Sequence, residues 1–155
     1  VKFVFLFPGK TREKYLDAGI RDYAGRLARY VGVELVVLKE KHSHRGPAEQ
    51  IRRRDAQQLL ARTGARGLVV ALDPAGRQVD SEELAHLVTG WEDRGAREIF
   101  FLIGGHLGLH ETVLRRADLV LALSRLTFTH EMSRLILLEQ LYRAWTIKAG
   151  HNYHR

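Results

Sequence analysis

Glu98-Ile99-Phe100-Phe101-Leu102-Ile103-Gly104-Gly105-His106-Leu107-Gly108 decides how the rest of the chain is read. The apolar run is rich in β-branched and aromatic residues, is shorter than a usual helix and is closed by glycines. A run that does not alternate with polar residues suits a strand covered on both faces, as in a parallel sheet. Gly108 leaves backbone room at a turn of the kind where open α/β sheets place ligands, outside the carboxyl ends of their strands. Downstream, residues 119–122 predict another short strand, followed by Leu123-Ser124-Arg125-Leu126-Thr127-Phe128. Thr129 is then placed to cap a helix that starts at His130. Two strand ends and their loops predict one crevice, the expected functional site.

Working outward, the chain alternates. Residues 2–7 predict a strand stopped by Pro8-Gly9. Thr11 is placed to cap a helix reaching about residue 30, with Tyr15, Ile20, Tyr23, Leu27 and Tyr30 at helical spacing. A strand at 33–38 leads to a polar loop with Lys39, Lys41, His42, His44 and Arg45. Pro47 suits the first turn of a helix that turns Ile51, Leu59 and Leu60 inward and Arg52-Arg53-Arg54 mostly outward. Residues 67–72 predict a strand ended by the turn Asp73-Pro74-Ala75-Gly76, with Asp73 bonding its own backbone. Ser81 is placed to cap the next helix, Glu82 and Glu83 suit its first turn, and Gly95 ends it. The pattern predicts an α/β fold, a mostly parallel sheet with helices on both faces, forming one domain over residues 1–155.

Composition narrows the function. Residues 1–67 carry 15 Lys/Arg against 7 Asp/Glu, and residues 68–155 carry 10 against 11, so the excess behind the net charge of +7 lies in the first half. Such an excess points to a polyanionic partner, nucleic acid above all. Lys41, Arg45 and the Arg52-Arg53-Arg54 run are the candidate phosphate contacts. With no cysteine, thiolate metal sites are excluded, and His42-x-His44 lacks a third ligand at a recognisable spacing, so no metal is expected. No apolar segment approaches the length of a membrane span, and residues 1–7 are too short for a signal-peptide core, so a soluble, cytoplasmic protein is expected. Gly104-Gly105-x-x-Gly108 lacks the GxGxxG order and argues against a nicotinamide dinucleotide. Trp91 and Trp145 fall at apolar helical positions and are expected to pack. The helix from His130 to about residue 147 is apolar over far more than one face, which predicts burial on both sides and a homodimer through it; burial inside one subunit is the alternative.

Four motifs taken together carry a resemblance: Ile103-Gly104-Gly105-x-x-Gly108-Leu109, Leu123-Ser124-x-Leu126-Thr127-Phe128-x-His130, Glu139-Gln140-Leu141-Tyr142-Arg143-Ala144-Trp145 and Tyr153-His154-Arg155. Their combination and order closely resemble the SPOUT-class methyltransferases called ribosomal RNA large subunit methyltransferase H, over essentially the whole chain. The resemblance implies a trefoil knot near the C-terminus, a homodimer and S-adenosyl-L-methionine as methyl donor. It implies as product N3-methylpseudouridine in helix 69 of large-subunit ribosomal RNA. It also implies a cofactor pocket at Leu72, Gly104 and the loop Leu123, Ser124, Arg125, Leu126, Thr127 and Phe128. His106 stands where relatives often carry a small residue or proline.

The chemistry fits these residues. A sulfonium methyl is already activated, so the protein has to align the nucleophile and help the weakly acidic N3 imide lose its proton. Candidates for that work are His130 and the segment containing His151, Tyr153, His154 and Arg155, with Arg125 and Arg134 as electrostatic helpers. The competing reading is a non-catalytic RNA- or ribosome-binding α/β module, in which the glycine loops are only turns.

Overall fold

The computed structural model describes residues 1–39 and 46–155. Its elements alternate as β1 (Lys2–Pro8), α1 (Lys14–Leu27), β2 (Gly32–Leu38), α2 (Ala48–Thr63), β3 (Leu68–Gln78), α3 (Ser81–Asp93), β4 (Glu98–Leu102), α4 (Glu111–Arg116), β5 (Leu119–Ala122) and α5 (His130–Ala149). The strands form one sheet in the order β2-β1-β4-β3-β5, and every pairing is parallel.

Successive side chains of a strand point to opposite faces, and here both faces are covered. Phe3, Phe5, Phe7, Val70, Ile99, Phe101 and Ile103 pack under α1, α3 and α5. Val4, Leu6, Val69, Ala71, Phe100 and Leu102 pack under α2 and α4 with Ala56, Leu59 and Val113. That division explains why β1 and β4 read as unbroken apolar runs. Phe5 and Phe101, on adjacent strands, stack with ring centroids 5.1 Å apart. Trp91 and Trp145 are buried in the first of these clusters, as their spacing predicts.

Several local expectations need correction. Thr11 does not cap α1: its N-cap is Glu13, without a side-chain cap, and the Thr11 hydroxyl instead accepts a hydrogen bond from Arg134. The buried stripe of α1 is Leu16, Ile20, Ala24 and Leu27. Tyr15, about 100° round the helix from Leu16, is 68% exposed. Asp80 rather than Ser81 caps α3, because Glu83 completes a reciprocal capping box with it. The Ser81 hydroxyl, one residue into the helix, donates to Gln140 on α5 at 2.6 Å. Residues 73–76 do not end β3. The strand continues to Gln78 with a register shift against β5 between Leu72 and Arg77, while Asp73 accepts from the Ala75 N–H at 2.9 Å as expected of that turn. Thr129 caps α5 by accepting from the Met132 N–H at 3.2 Å, at the expected place.

α5 is apolar all round largely because of its surroundings in one protomer. It packs against both α1 and α3, and Leu137, Leu138, Leu141 and Ala144 are fully buried. No described helix is long and apolar enough to cross a membrane.

Candidate active site

The carboxyl ends of β4 and β5 and the stretch of β3 where its register shifts open into one cavity of about 910 Å³, near the upper end of the roughly 300–1,000 Å³ found for small-molecule sites. Leu72, Asp73 and Pro74 line it from β3, Ile103 to Gly108 from the turn after β4, and Leu121, Leu123, Ser124, Leu126, Thr127 and Phe128 from β5 and its loop. The N-cap and first turn of α5, from Thr129 to Ser133, and Glu13, the N-cap of α1, with Tyr15 and Leu16 of that helix complete the wall.

The glycine turn is built from its own backbone. A Cβ at Gly104 would stand 2.6 Å from the carbonyl carbon of Gly108 and 2.7 Å from its oxygen. Gly108 has a φ of +81° and donates its N–H to the Gly105 carbonyl at 3.0 Å, a conformation that favours glycine. The second loop is held by the Ser124 hydroxyl oxygen, which accepts from the Leu126 N–H at 3.0 Å. Under the cavity, Gly76 lets β3 run against β5: a Cβ there would lie 2.7 Å from the Val120 carbonyl.

α5 is locked to the corner that follows β1. Glu131, only 8% exposed, accepts from the N–H groups of Arg12 at 2.9 Å and Glu13 at 3.0 Å. Burial works against its charge, but the two backbone donors, with His130 and Arg134 nearby, more than offset it and hold the carboxyl below its ordinary value of about 4.5. Arg134, fully buried, donates to Thr11 Oγ1 at 2.9 Å and to the Pro8 carbonyl at 3.1 Å. Its guanidinium carbon lies 4.6 Å from the centroid of the Phe7 ring. The His106 and His130 rings approach each other at the cavity, with centroids 6.5 Å apart, and His130 Nε2 is 3.9 Å from Glu131 Oε2.

The structure therefore gathers Leu72, Gly104, Leu123, Ser124, Leu126, Thr127, Phe128 and His130 around one cavity. Arg125 belongs to the same loop but is exposed and does not line it. Tyr153, His154 and Arg155 do not line it either. Tyr153 instead donates to Glu139 at 3.1 Å and meets the Tyr23 hydroxyl at 3.2 Å. His154 Nδ1 is 3.1 Å from an Arg143 guanidinium nitrogen, and His151 is bonded to the Tyr30 hydroxyl. At 1.5 Å per residue, Glu139 lies about 14 Å along the helix from His130. Burial, followed by the bond to Tyr23 and the charge of Glu139, pushes the Tyr153 phenol up, so it stays protonated around neutral pH.

Of the candidate RNA contacts, Arg53 and Arg54 are exposed and Arg52 is half-buried on α2, with Arg53 paired to Glu49 at 3.2 Å. α2 reaches the start of α4, where Glu49 Oε1 is 3.9 Å from Nε2 of His110, the N-cap of that helix. Lys41 and Arg45, like His42 and His44, lie outside the described residues. Among the described residues no group of His, Asp or Glu is arranged to hold a metal. Sequence reasoning did not find Glu13, Tyr15 or Glu131: neither a cap made by a residue more than a hundred positions away nor an exposed ring at a cavity rim has a periodic signature.

The family model described as "Predicted SPOUT methyltransferase" matches residues 1–154. A ribosomal RNA large subunit methyltransferase H from Desulfotalea psychrophila is 46% identical over 155 residues, covering all of both chains. One from Syntrophotalea carbinolica is 42% identical over 154 residues, covering 99% of each. Among solved structures, a probable methylase family protein from Haemophilus influenzae superposes with a TM-score of 0.57 at 13% identity, over 99% of this chain and 70% of that one. A putative methyltransferase from Legionella pneumophila, solved with the bound cofactor SAM, gives 0.51 at 15% identity, over 92% of this chain and 66% of that one. At such identities these two speak for the fold.

Proposed function

The chain belongs to the SPOUT methyltransferase family, among the members named ribosomal RNA large subunit methyltransferase H, and from that premise we propose that it methylates N3 of a pseudouridine in helix 69 of large-subunit ribosomal RNA with S-adenosyl-L-methionine as donor. The observation that carries this reading is the meeting of the loops after β4 and β5, the irregular stretch of β3 and the first turn of α5 around one cavity, in a chain alike over its full length to proteins of that name.

The residues present fit the donor. Leu72, Leu123 and Leu126 make an apolar wall, and the tight turn at Gly104 keeps backbone groups rather than side chains at the surface, which together suit an adenosine. When bound, S-adenosylmethionine supplies a sulfonium methyl that needs no further activation. The work left to this chain is to orient the base and manage the N3 proton. His130, at the start of α5 and on the cavity wall, is positioned to accept it. The protonated Tyr153 acts as a hydrogen-bond donor, while His154 and Arg155 stabilise the imide anion.

In one protomer the segment around Tyr153 packs on α1 and α5, away from the cavity. We therefore read the complete site as composite, with that segment delivered by a second copy across α5, and the protein as a homodimer. Residues 1–155 are read as one unit in the cytoplasm. A trefoil knot is part of the same reading, supported by the chain's membership of the SPOUT family.

The test is methyl transfer from labelled S-adenosylmethionine to large-subunit ribosomal RNA, with mass spectrometry locating the product, and calorimetry of the donor alone. N3-methylpseudouridine in the helix 69 fragment is the expected outcome. No heat at millimolar donor and no transfer would replace this reading with the non-catalytic RNA-binding module.

A further inference from the structure

The rim of the cavity carries an exposed aromatic side chain that the methyl donor does not explain. Among the described residues the exposed large apolar side chains are Val1, Tyr15, Val37 and Leu126. Val1 precedes β1 and Val37 lies on the edge strand β2, and isolated apolar residues in such places are ordinary. Tyr15 and Leu126, 68% and 73% exposed, both line the same cavity, from α1 and from the loop after β5.

Tyr15 does not ride on a loose segment. It is the second residue of α1, and the corner leading into that helix is held by the bonds from Arg12 and Glu13 to Glu131 and from Arg134 to Thr11 and Pro8. A fixed aromatic ring thus faces solvent beside the opening. The same corner exposes Lys10, Arg12 and Lys14, and the facing loop exposes Arg125 beside Leu126. Aromatic faces interleaved with cations are the pattern that binds unpaired nucleic acid, the rings taking bases and the cations the backbone.

A uracil-type base stacked within an RNA loop presents its N3 edge to such a cavity only after leaving the stack, at the expense of its stacking contacts. An aromatic surface at the mouth offsets that loss. We infer that Tyr15 is the stacking platform for the unstacked target nucleobase, with Lys10 and Lys14 holding the adjacent phosphates. This inference deepens the proposed function and rests on it.

The test compares the unaltered protein with Tyr15→Ala and Tyr15→Phe, measuring donor affinity by calorimetry and kcat and KM for ribosomal RNA by methyl transfer. Tyr15→Ala is expected to raise KM for RNA about tenfold or more, far more than it changes donor affinity, with melting temperature unchanged, and Tyr15→Phe to restore it. An unaltered KM in Tyr15→Ala, in a protein that still binds donor and transfers methyl, overturns the platform and leaves the methyltransferase reading intact. So does an equal loss in Tyr15→Phe, which would assign the effect to the hydroxyl. Failure of the unaltered protein to bind donor would instead remove the underlying reading.

Discussion

Glu131 and Arg134 show at the scale of single residues how charge is used to join distant parts of the chain. A carboxylate that accepts from two backbone N–H groups is worth more than two neutral bonds, because charge-assisted hydrogen bonds contribute about 1.5–3 kcal/mol each. The Glu131 carboxyl is held below its ordinary value of about 4.5. Its stabilising contribution is therefore complete above that value and is lost as pH falls through the lower, folded one. Urea denaturation as a function of pH should show the unaltered protein losing stability on the acid side of about pH 4.5, while Glu131→Gln, weaker at pH 7 by about 1–2 kcal/mol, shows a flatter profile there. Neither role was legible in the sequence. Arg134 reads from the sequence as an electrostatic helper at the site, yet it is fully buried; its partners Pro8 and Thr11 lie more than 120 positions away. No local pattern reports such a separation.

At the scale of elements, legibility follows the physics of covering. β1 and β4 were readable because both faces of the sheet are buried, leaving unbroken apolar runs. The start of α5 was readable because Thr129 is a strong cap acting on its own helix. Where two good caps stand side by side, as Asp80 and Ser81 do, the choice depends on Glu83 and on Gln140 of another helix, and only the first of these is local. The glycine turn was placed correctly, but its reason differs. A side chain at Gly104 meets the Gly108 carbonyl before it meets any ligand. Gly104→Ala should accordingly weaken donor binding at least tenfold by opening the turn, as calorimetry would show, and also lower the melting temperature. A loss of affinity with unchanged stability would mean that the methyl group blocks the ligand rather than the turn.

For the whole molecule, the predicted arrangement of a parallel sheet with helices on both faces is what the structure shows. The composite site proposed above needs the Tyr153-His154-Arg155 segment of a second copy, because in one protomer that segment does not line the cavity. If the site is composite, mixing Gly104→Val and His154→Ala proteins, each inactive alone, should restore methyl transfer on redistribution of subunits. No recovery would mean that each copy uses its own segment. Replacing Arg52, Arg53 and Arg54 together by Ala should weaken RNA binding and reduce its salt slope by up to about three. An unchanged slope would place phosphate elsewhere. The cationic excess of the first half of the chain thus has two candidate outlets, the α2 face and the corner before α1, and single-site salt titrations separate them.

The bonds that join the corner at residues 8–13 to the first turn of α5 span 118 to 126 positions. During synthesis, this corner is made more than a hundred residues before the helix that secures it. A nascent chain stalled before residue 130 lacks one wall of its binding site and the anchors of another. Truncation before residue 130 is therefore expected to yield a fragment that does not hold the methyl donor.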